Sequence, residues 1–545
     1  MFLVATSRRN RKSASVKHWR SALAAMALGL ILPSTTWAQY TYVPSNNQTG
    51  NWTATARWTG GPAGTVPNAV DASATINLPT STAPTGQYNL QISGTAGSAV
   101  TVGSLTVNNA ANQLGNLRIG ANGNGTLTFQ SSNGPATYTE NPAAVDDATS
   151  LTKIFAPVTF LSDTVITQNH ALSSNVATEF GSTNNSAGGV TAASNITVTK
   201  EGAGNVTFSV APTAPGTGFQ GSLVINNGAV RDEVDAFQNA TSVTVNNGGQ
   251  YQIGTSTLTS WNLGSGSVLT LNGQGKTTGV NPEGALRFQN NSSSTTFNNS
   301  VNLQTDSGIF VNANLVPVAP ATVTYGKLTL AQEVFGQGGL TKIGGGILEL
   351  TAANTYAGST IVNGGTLLVN NTTGSATGEG SVTVNAGAIL AGSGTIDGSV
   401  SFVGGTLAAG NSPGTLHLGS TSFDAASILN YQLDTPGVVG SGVNDLVEVN
   451  GDLTLDGTLN IEALSGFGVG TYRLFDYTGS LVDNGLTLGL IPSGLSYTID
   501  TSVAHEINLN VTAVPEASTM ILSALGVAGF GMGVLRRKRA AKIEA

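Results

Sequence analysis

Short segments in which apolar and polar residues alternate recur along most of this chain. Examples are residues 104–107 (Ser-Leu-Thr-Val), 126–129 (Thr-Leu-Thr-Phe) and 268–271 (Val-Leu-Thr-Leu). A period of two is the pattern of a β-strand with one buried face, and glycine and asparagine interrupt these strands as turns require. No segment between residues 39 and 512 carries a capped helical periodicity. The pattern therefore predicts an all-β fold.

Two parts of the chain repeat the same series of three strands. Residues 199–208 align with residues 341–350, and both begin Thr-Lys-x-Gly-x-Gly. The two following strands also align, residues 221–228 with 358–365 and residues 242–246 with 381–385. Three matched strands in one order indicate an internal structural repeat.

This unit resembles the autotransporter-associated β-strand repeat. The second copy, residues 339–370, carries the pattern closely, whereas the first copy is degenerate and has Phe219 where the second has Tyr356. The resemblance implies a surface-exposed passenger region built on a right-handed parallel β-helix. The chain carries a different segment where an autotransporter has its terminal membrane domain.

The residues themselves favour the same architecture. In a β-helix each coil buries its inward side chains against the next coil, and corner asparagines can form hydrogen-bonded ladders. We therefore expect a right-handed parallel β-helix, or solenoid, that ends in a C-terminal β capping module. Tandem β-sandwiches are the alternative, because isolated strand and turn patterns do not fix the strand order.

The C-terminal segment has three parts: a short polar motif, an apolar run at residues 520–535 and a basic end. The apolar run, taken from Thr519, is about 25 Å long as a helix, slightly less than a bilayer core. Basic residues stay on the cytoplasmic side of a membrane, so a single C-terminal transmembrane helix is expected. The motif consists of Val514, Pro515, Glu516, Ala517, Ser518 and Thr519, and the basic stop consists of Arg536, Arg537, Lys538 and Arg539.

This tail resembles the PEP-CTERM sorting signal, although Ala517 replaces the second proline of the family's Pro-Glu-Pro. The resemblance covers residues 514–545 and implies that an exosortase recognises and cleaves the protein near Pro515 and Glu516. It also implies transient anchoring in the inner membrane before release to the cell surface.

The N-terminal segment is typical of an exported protein. Six basic residues precede an apolar stretch at residues 22–32, and Thr36-Trp37-Ala38 offers a cleavage site between Ala38 and Gln39. A twin-arginine signal is a weaker alternative, because Arg8 and Arg9 lack the apolar pair of that motif. We therefore expect a signal peptide that uses the general secretory translocon.

The remaining body is acidic and contains no cysteine. Residues 39–513 carry 10 Lys and Arg against 27 Asp and Glu, a net charge of −17. This charge argues against nucleic-acid binding, which needs a basic patch. Without cysteine, the chain has no disulfides, no thiol nucleophile and no cysteine-bound metal.

Five regions follow from these features. They are the signal peptide (residues 1–38), an N-terminal β region (39–195), the autotransporter-associated repeats (196–420), a C-terminal β module (421–513) and the sorting signal (514–545).

No catalytic, cofactor-binding or metal-binding residues are predicted. The acidic cluster at residues 231–235 is expected to be a solvated loop, as is Asp146-Asp147, and His170, His417 and His505 have no partner nearby in the sequence. Trp52 and Trp58 are expected to cap the stack, with a sugar-stacking platform as the alternative reading.

The sequence thus predicts an exported, non-catalytic protein of the cell surface or extracellular matrix. Its expected role is adhesion or contact with exopolysaccharide in a biofilm matrix. The alternative is a polysaccharide lyase or hydrolase on the same β-helix, since one fold can host different functions.

Overall fold

The computed structural model describes most of the chain between Ala38 and Val514. The described residues are 38–44, 49–78, 87–92, 99–108, 116–120, 125–142, 152–170, 178–181, 189–210, 217–254, 258–278, 281–290, 292–316, 322–410 and 413–514. Within them the chain forms β-strands and one short 3-10 helix, Thr55–Arg57. The prediction of an all-β fold is confirmed.

The strands lie on three faces, and the chain visits the faces in turn. On face 2, each strand pairs in parallel with a strand from the next coil, so the ladder runs along the whole described chain. Its strands, in stacking order, are Thr49–Asn51, Gln87–Gln91, Asn116–Ile119, Thr152–Ile154, Thr178–Phe180, Asn205–Phe208, Gly228–Asp232, Gly249–Ile253, Leu286–Phe288, Ser307–Val311, Leu340–Ile343, Thr360–Val362, Val382–Asn385, Val400–Val403, Thr421–Ser422, Leu453–Leu455 and Leu481–Asp483.

Face 1 has two ladders. The first contains Trp58–Thr59, Gln39–Tyr42, Ser73–Asn77, Ser104–Asn108, Ala136–Asn141, Thr164–Gln168, Thr197–Glu201, Ser222–Ile225, Ser242–Val245, Leu269–Leu271, Val301–Leu303 and Val334–Phe335. The second contains Thr395–Ile396, Thr415–Leu418, Leu446–Val449, Gly470–Tyr477, Glu506–Ala513 and Leu495–Asp500. Main-chain hydrogen bonds through residues 354–355 and 375–376 join the two ladders.

Face 3 also has two ladders. The first contains Ala99–Val102, Thr126–Phe129, Val158–Phe160 and Val190–Ala192. The second contains Ser260–Trp261, Ser294–Phe297, Lys327–Leu330, Ile347–Leu350, Gly365–Val369, Ala388–Gly392, Thr406–Ala409, Ile428–Leu433, Thr458–Ala463 and Thr487–Leu488. Two hairpins project from the coils, Thr277–Thr278 with Asn281–Pro282 and Ala313–Val316 with Thr322–Tyr325.

Parallel pairing between successive coils on three faces is the arrangement of a β-helix. Tandem β-sandwiches would be built from antiparallel sheets, so the described residues do not form that alternative. Antiparallel strand pairs on the long faces occur at the described ends of face 1, and two isolated antiparallel bridges, Asn385 with Gly404 and Gly392 with Gly410, lie between them. Trp58–Thr59 pairs with the first strand, and Glu506–Ala513 pairs with both Gly470–Tyr477 and Leu495–Asp500. These pairs cover an open edge of face 1 at each end.

The core is one continuous apolar cluster from Tyr40 to Val511. Aromatic rings from adjacent coils stack inside it, as in Phe180 with Phe208 at 5.3 Å and Phe402 with Phe423 at 4.6 Å between ring centroids. Each ladder step brings the next coil to about 4.8 Å, so one aromatic side chain contacts its counterpart in the neighbouring coil. Burial of this long, thin core stabilises the stack without any disulfide.

Asparagine side chains form ladders along the stack, as the sequence predicts. Asn108 donates to Asn77, Asn141 to Asn108 and Asn169 to Asn141, at 2.8–2.9 Å. A shorter ladder joins Asn246 to Asn226 at 2.6 Å. The side-chain amides hydrogen-bond to one another between coils. These bonds stabilise the stack in addition to the main-chain hydrogen bonds of the ladders.

The lysine of each repeat is buried at a corner of the coil. Lys200 Nζ donates to the carbonyls of Glu201, Gly202 and Asn227 at 2.6–3.1 Å, and both lysines are at most 1% exposed. Lys342 Nζ makes the matching contacts, to the carbonyls of residues 343, 344 and 364 at 2.7–3.1 Å. The ammonium group therefore holds two turns of adjacent coils together at the same point.

The glycines of the repeat make this corner possible. Gly202 and Gly344, two residues after the lysines, have φ of 76° and 79°, a conformation in which other residues are strained. A Cβ on Gly344 would also lie 2.5 Å from the carbonyl oxygen of Val311. The spacing Lys-x-Gly is thus explained by a turn that aims carbonyls at the lysine.

The two repeat copies turn different corners. The strand that contains Lys200 lies on face 1 and the next strand lies on face 2, whereas Lys342 ends a face 2 strand that leads to face 3. The motif therefore specifies one corner of a coil, and two different corners of the three-faced stack use it.

None of the described residues forms a helix that is long and apolar enough to cross a membrane. The predicted signal peptide up to Trp37, and the predicted tail from Pro515 onward, lie outside the described residues. Val514 follows the last strand and is 54% exposed. Ala38 and Gln39 are described, and the first strand begins at Gln39.

Candidate functional site

A groove of about 610 Å³ crosses the C-terminal part of face 1. Its floor consists of one outward row of side chains on neighbouring strands, in the register Thr395, His417, Glu448, Asp476 and Glu506. These positions face outward because the residues beside them, such as Leu416 and Leu418, are buried. With strands about 4.8 Å apart, the row from His417 to Glu506 is about 14 Å long.

A histidine and a carboxylate pair at the centre of this floor. His417 Nδ1 lies 2.9 Å from Glu448 Oε2, and the two side chains are 44% and 48% exposed. They come from strands Thr415–Leu418 and Leu446–Val449 of adjacent coils. This contact occupies Nδ1 of the imidazole and one oxygen of Glu448, so the pair can offer further polar atoms to a ligand.

The other end of the floor is a compact charged cluster. Arg473 contacts Asp476 and lies 2.6 Å from Glu506 Oε2, and its Nε donates to Asn508 Oδ1 at 2.9 Å. Arg473 therefore offsets much of the charge of Asp476 and Glu506. Asp397 and Glu448 supply the negative charge of the remaining groove lining.

One wall of the groove is the turn before the last strand. His505 has φ of 68°, and its carbonyl accepts a hydrogen bond from the main chain of Tyr477 at 3.1 Å. The imidazole ring lies over Tyr477, with centroids 5.4 Å apart at 56°. Because Tyr477 is 7% exposed and His505 is exposed, the outward ring surface here belongs to His505.

A second, smaller depression of about 450 Å³ lies on face 3. Its polar side chains satisfy one another: Asn460 donates to Asn430 Oδ1 at 2.9 Å, and Gln432 donates to Glu462 Oε2 at 2.9 Å. The groove on face 1 is larger and more polar, and it is the stronger candidate for ligand contact.

The expectation that residues 231–235 form a solvated loop is wrong for its two aspartates. Asp232 is 1% exposed, and it accepts hydrogen bonds from Tyr251 Oη at 2.9 Å, Ala236 N at 2.8 Å and Trp261 Nε1 at 3.3 Å. Burial raises the pKa of Asp232. Burial and the neighbouring Asp232 raise the pKa of Asp235 to about 7. Both aspartate side chains therefore point into the core, and their hydrogen bonds stabilise the fold.

The basic residues do not converge on this cluster. Lys200 and Lys342 are enclosed by carbonyls, and Lys276 Nζ donates to Asn205 Oδ1 at 3.1 Å. The other described basic residues in the middle of the chain pair with carboxylates: Lys153 with Glu179, Arg231 with Glu233, Arg287 with Glu283 and Lys327 with Glu349. Only Arg231 is adjacent to the cluster, and its partner is Glu233. No lyase-type arrangement therefore forms around Asp232 in the described chain.

His170 belongs to a buried polar network that the sequence reading missed. Glu140 accepts hydrogen bonds from Tyr138 Oη and Thr152 Oγ1 at 2.8 Å and from Thr178 Oγ1 at 2.6 Å, and His170 Nε2 lies 3.8 Å from it. The available signal was Glu140 at an inward position of a strand, two residues after Tyr138. Full satisfaction of this carboxylate makes the network a stabilising element.

Trp52 and Trp58 are buried, at 0% and 6% exposure. Their rings lie 5.0 Å apart, Trp52 donates to Pro67 O and Trp58 donates to Trp52 O, both at 2.8 Å. Neither ring can stack on a sugar, so the platform alternative is wrong. The pair fills the first coils instead.

Of the other expected sites, Asp146-Asp147 lies outside the described residues. His417 does have a carboxylate partner, Glu448, which is supplied by the next coil. Among the residues with described positions, no group of three or more His, Asp or Glu has an arrangement that could hold a metal ion.

The described strands form a three-faced parallel β-helix with a polar groove near their C-terminal end. Residues 340–369 match the family model of the passenger-associated-transport-repeat. The predicted resemblance to an autotransporter-associated repeat is confirmed for this stretch.

Two proteins are similar over longer stretches. A stretch of 109 residues, 19% of this chain, is 51% identical to the adhesin BmaC autotransporter of Brucella suis biovar 1 (strain 1330) and covers 3% of that protein. A stretch of 132 residues, 24% of this chain, is 32% identical to an extracellular serine protease of Serratia marcescens and covers 12% of it. The chain thus spans a small part of the length of both relatives.

Proposed function

We propose that this chain is an exported, non-catalytic protein of the cell surface or extracellular matrix that acts in adhesion. The observation that carries the proposal is the repeat at residues 340–369 within a continuous parallel stack. The similarity to part of a protein named an adhesin supports the same role. A right-handed coil is expected, because parallel crossovers are almost always right-handed.

The proposal includes a route to the surface. The secretory translocon exports the chain, and the signal peptide is removed between Ala38 and Gln39. The tail, residues 514–545, then holds the protein in the inner membrane through its apolar helix until an exosortase cuts near Pro515 and Glu516. The polar motif, apolar run and basic stop of the tail support this route.

Deletion of residues 514–545 tests the route. The truncated protein should escape membrane retention and fail to reach the surface, as measured by fractionation and by protease treatment of intact cells. As a control, replacing Val469, which is exposed and lies outside the tail, by alanine should leave sorting unchanged. Delivery of the truncated protein to the same surface location would contradict the sorting proposal.

At the surface, the proposed partner is exopolysaccharide. The outward faces carry many hydroxyl and amide side chains, and the groove on face 1 adds carboxylates and an imidazole ring. Such groups hydrogen-bond to sugar hydroxyls. A cell-retention assay on polysaccharide-coated surfaces should show weaker attachment when the protein is absent.

The enzymatic alternative is tested separately. The full-length chain is incubated with neutral and acidic polysaccharides, and new reducing or unsaturated ends are measured. We expect no product, because Asp232 and Asp235 are buried and the adjacent Arg231 pairs with Glu233. Product formation from any of these polymers would replace adhesion by a lyase or hydrolase function.

A further inference from the structure

The groove on face 1 combines three features that bear on the chemistry of its ligand. It is about 610 Å³ in volume, its lining carries four carboxylates and no lysine or arginine, and an exposed imidazole ring forms part of one wall. The carboxylates belong to Asp397, Glu448, Asp476 and Glu506. Arg473 lies against only the last two. At the other end Glu448 pairs with His417, and Asp397 has no lysine or arginine beside it in the groove lining.

The strands beneath the groove leave no main-chain edge for a ligand to pair with. Thr415–Leu418 and Leu446–Val449 each have a parallel partner on both sides, and Gly470–Tyr477 is covered by Glu506–Ala513. An extended peptide that adds a strand needs a free edge. Recognition in this groove must therefore come from side chains, which favours a ligand with its own hydroxyl and charged groups.

We infer that this groove binds a polymer of amino sugars with free amines. The inference rests on the proposed role in polysaccharide contact and names the class of polysaccharide. The sugar amines lie against Asp397 and Glu448, the hydroxyls donate to the remaining carboxylate oxygens, and one sugar ring packs on His505. The row of about 14 Å accommodates a chain segment. The net charge of −17 in residues 39–513 further attracts a cationic polymer and repels an acidic one.

The test measures binding of three defined oligomers to the full-length chain by calorimetry, at a pH where the sugar amines are charged. They are a β-1,4-linked glucosamine hexamer, its fully N-acetylated counterpart and an oligogalacturonate. The glucosamine hexamer should bind at least ten-fold more tightly than either of the others. Its affinity should also fall as salt is added, because the contacts are exposed charge pairs.

Variants locate the site. Glu448→Gln and Asp397→Asn keep the size of each side chain, and each should weaken binding of the glucosamine hexamer about ten-fold. His505→Ala should weaken it less, through loss of ring packing. Glu462→Gln changes an exposed carboxylate in the depression on face 3 and should leave the affinity unchanged. Melting temperatures show that each variant remains folded.

Three outcomes would overturn the inference: equal affinity for all three oligomers, unchanged affinity in both groove variants, or tighter binding of oligolysine, measured as a fourth ligand, than of the glucosamine hexamer. If a neutral or acidic polysaccharide binds outside the groove and the glucosamine hexamer does not bind, the inference fails and the proposed function stands. If no polysaccharide binds and cells attach normally without the protein, the proposed function fails as well.

Discussion

Lys200 and Lys342 each donate to three main-chain carbonyls, yet they do so at different corners of the stack. One corner joins face 1 to face 2, and the other joins face 2 to face 3. In both, the carbonyls come from the turn after the lysine and from the matching turn of the next coil. The repeat therefore encodes a local clamp between two coils.

Replacing Lys342 by methionine should destabilise the protein by about 2–3 kcal/mol, because the three carbonyls lose a charged donor inside the structure. Lys327→Met is the matched control. Lys327 pairs with Glu349 at 2.7 Å but is 32% exposed, and such pairs contribute about 0–1 kcal/mol. Chemical denaturation at about pH 6, below the pKa of about 7 of Lys342, measures both. Equal losses for the two variants would contradict the clamp.

Lys342 should also make the stability of the protein depend on pH above neutrality. Burial lowers the pKa of Lys342 to about 7, although three carbonyl acceptors favour the charged form. Between about pH 7 and the pKa of a lysine in the unfolded chain, about 10.4, the unfolded state binds more protons than the folded state. The free energy of unfolding should therefore rise with pH over this range. Denaturation at pH 7 to 10 measures the rise, and Lys342→Met should reduce it. A flat profile in the wild type would show that the carbonyls keep the lysine fully charged.

Two buried carboxylates should make the stability of the protein fall with rising pH below neutrality. Burial raises the pKa of Asp235 to about 7 and that of Asp445 to about 6. The folded state then binds more protons than the unfolded state from about pH 4 to pH 7, so stability should fall over this range by a few kcal/mol. Asp235→Asn should flatten the profile measured by denaturation. A profile that rises from pH 4 to 7 would refute this assignment.

Two glycines with the same backbone conformation differ in the space around them. Gly344 and Gly387 both have φ of 79°, but a Cβ on Gly344 would lie 2.5 Å from Val311 O, whereas no atom lies within 4 Å of one on Gly387. Gly387→Ala should cost about 1–2 kcal/mol through backbone strain alone. Gly344→Ala should cost at least about 1 kcal/mol more, since it also displaces the neighbouring coil. Thermal denaturation compares them, and equal costs would contradict the tight corner.

The sequence predicted the fold because the features that specify a β-helix involve residues close together in the chain. Alternating strands, the asparagine corners and the Thr-Lys-x-Gly-x-Gly repeat all concern residues close together in the chain. These features led to parallel stacking and to asparagine ladders such as Asn77 to Asn169. The lysine clamp could also have been suspected, because a lysine stood at an inward position of each repeat strand.

The groove was beyond sequence reasoning because its contacts join successive coils of unequal length. Asn246 follows its ladder partner Asn226 by 20 residues, whereas Asn298 follows Ser260 by 38. The register between coils therefore cannot be counted along the chain. Glu448 was consequently not recognised as the partner of His417, and the burial of Asp232 was also missed.

The central claim is that the exported chain mediates attachment through this surface, and cell adhesion tests it most directly. Cells that lack the protein are compared with cells that produce the full-length chain, Glu448→Gln or Glu462→Gln, on surfaces coated with glucosamine polymer. The account predicts attachment with the full-length chain and with Glu462→Gln, and a clear loss with Glu448→Gln and without the protein. Equal attachment of all four strains would contradict it.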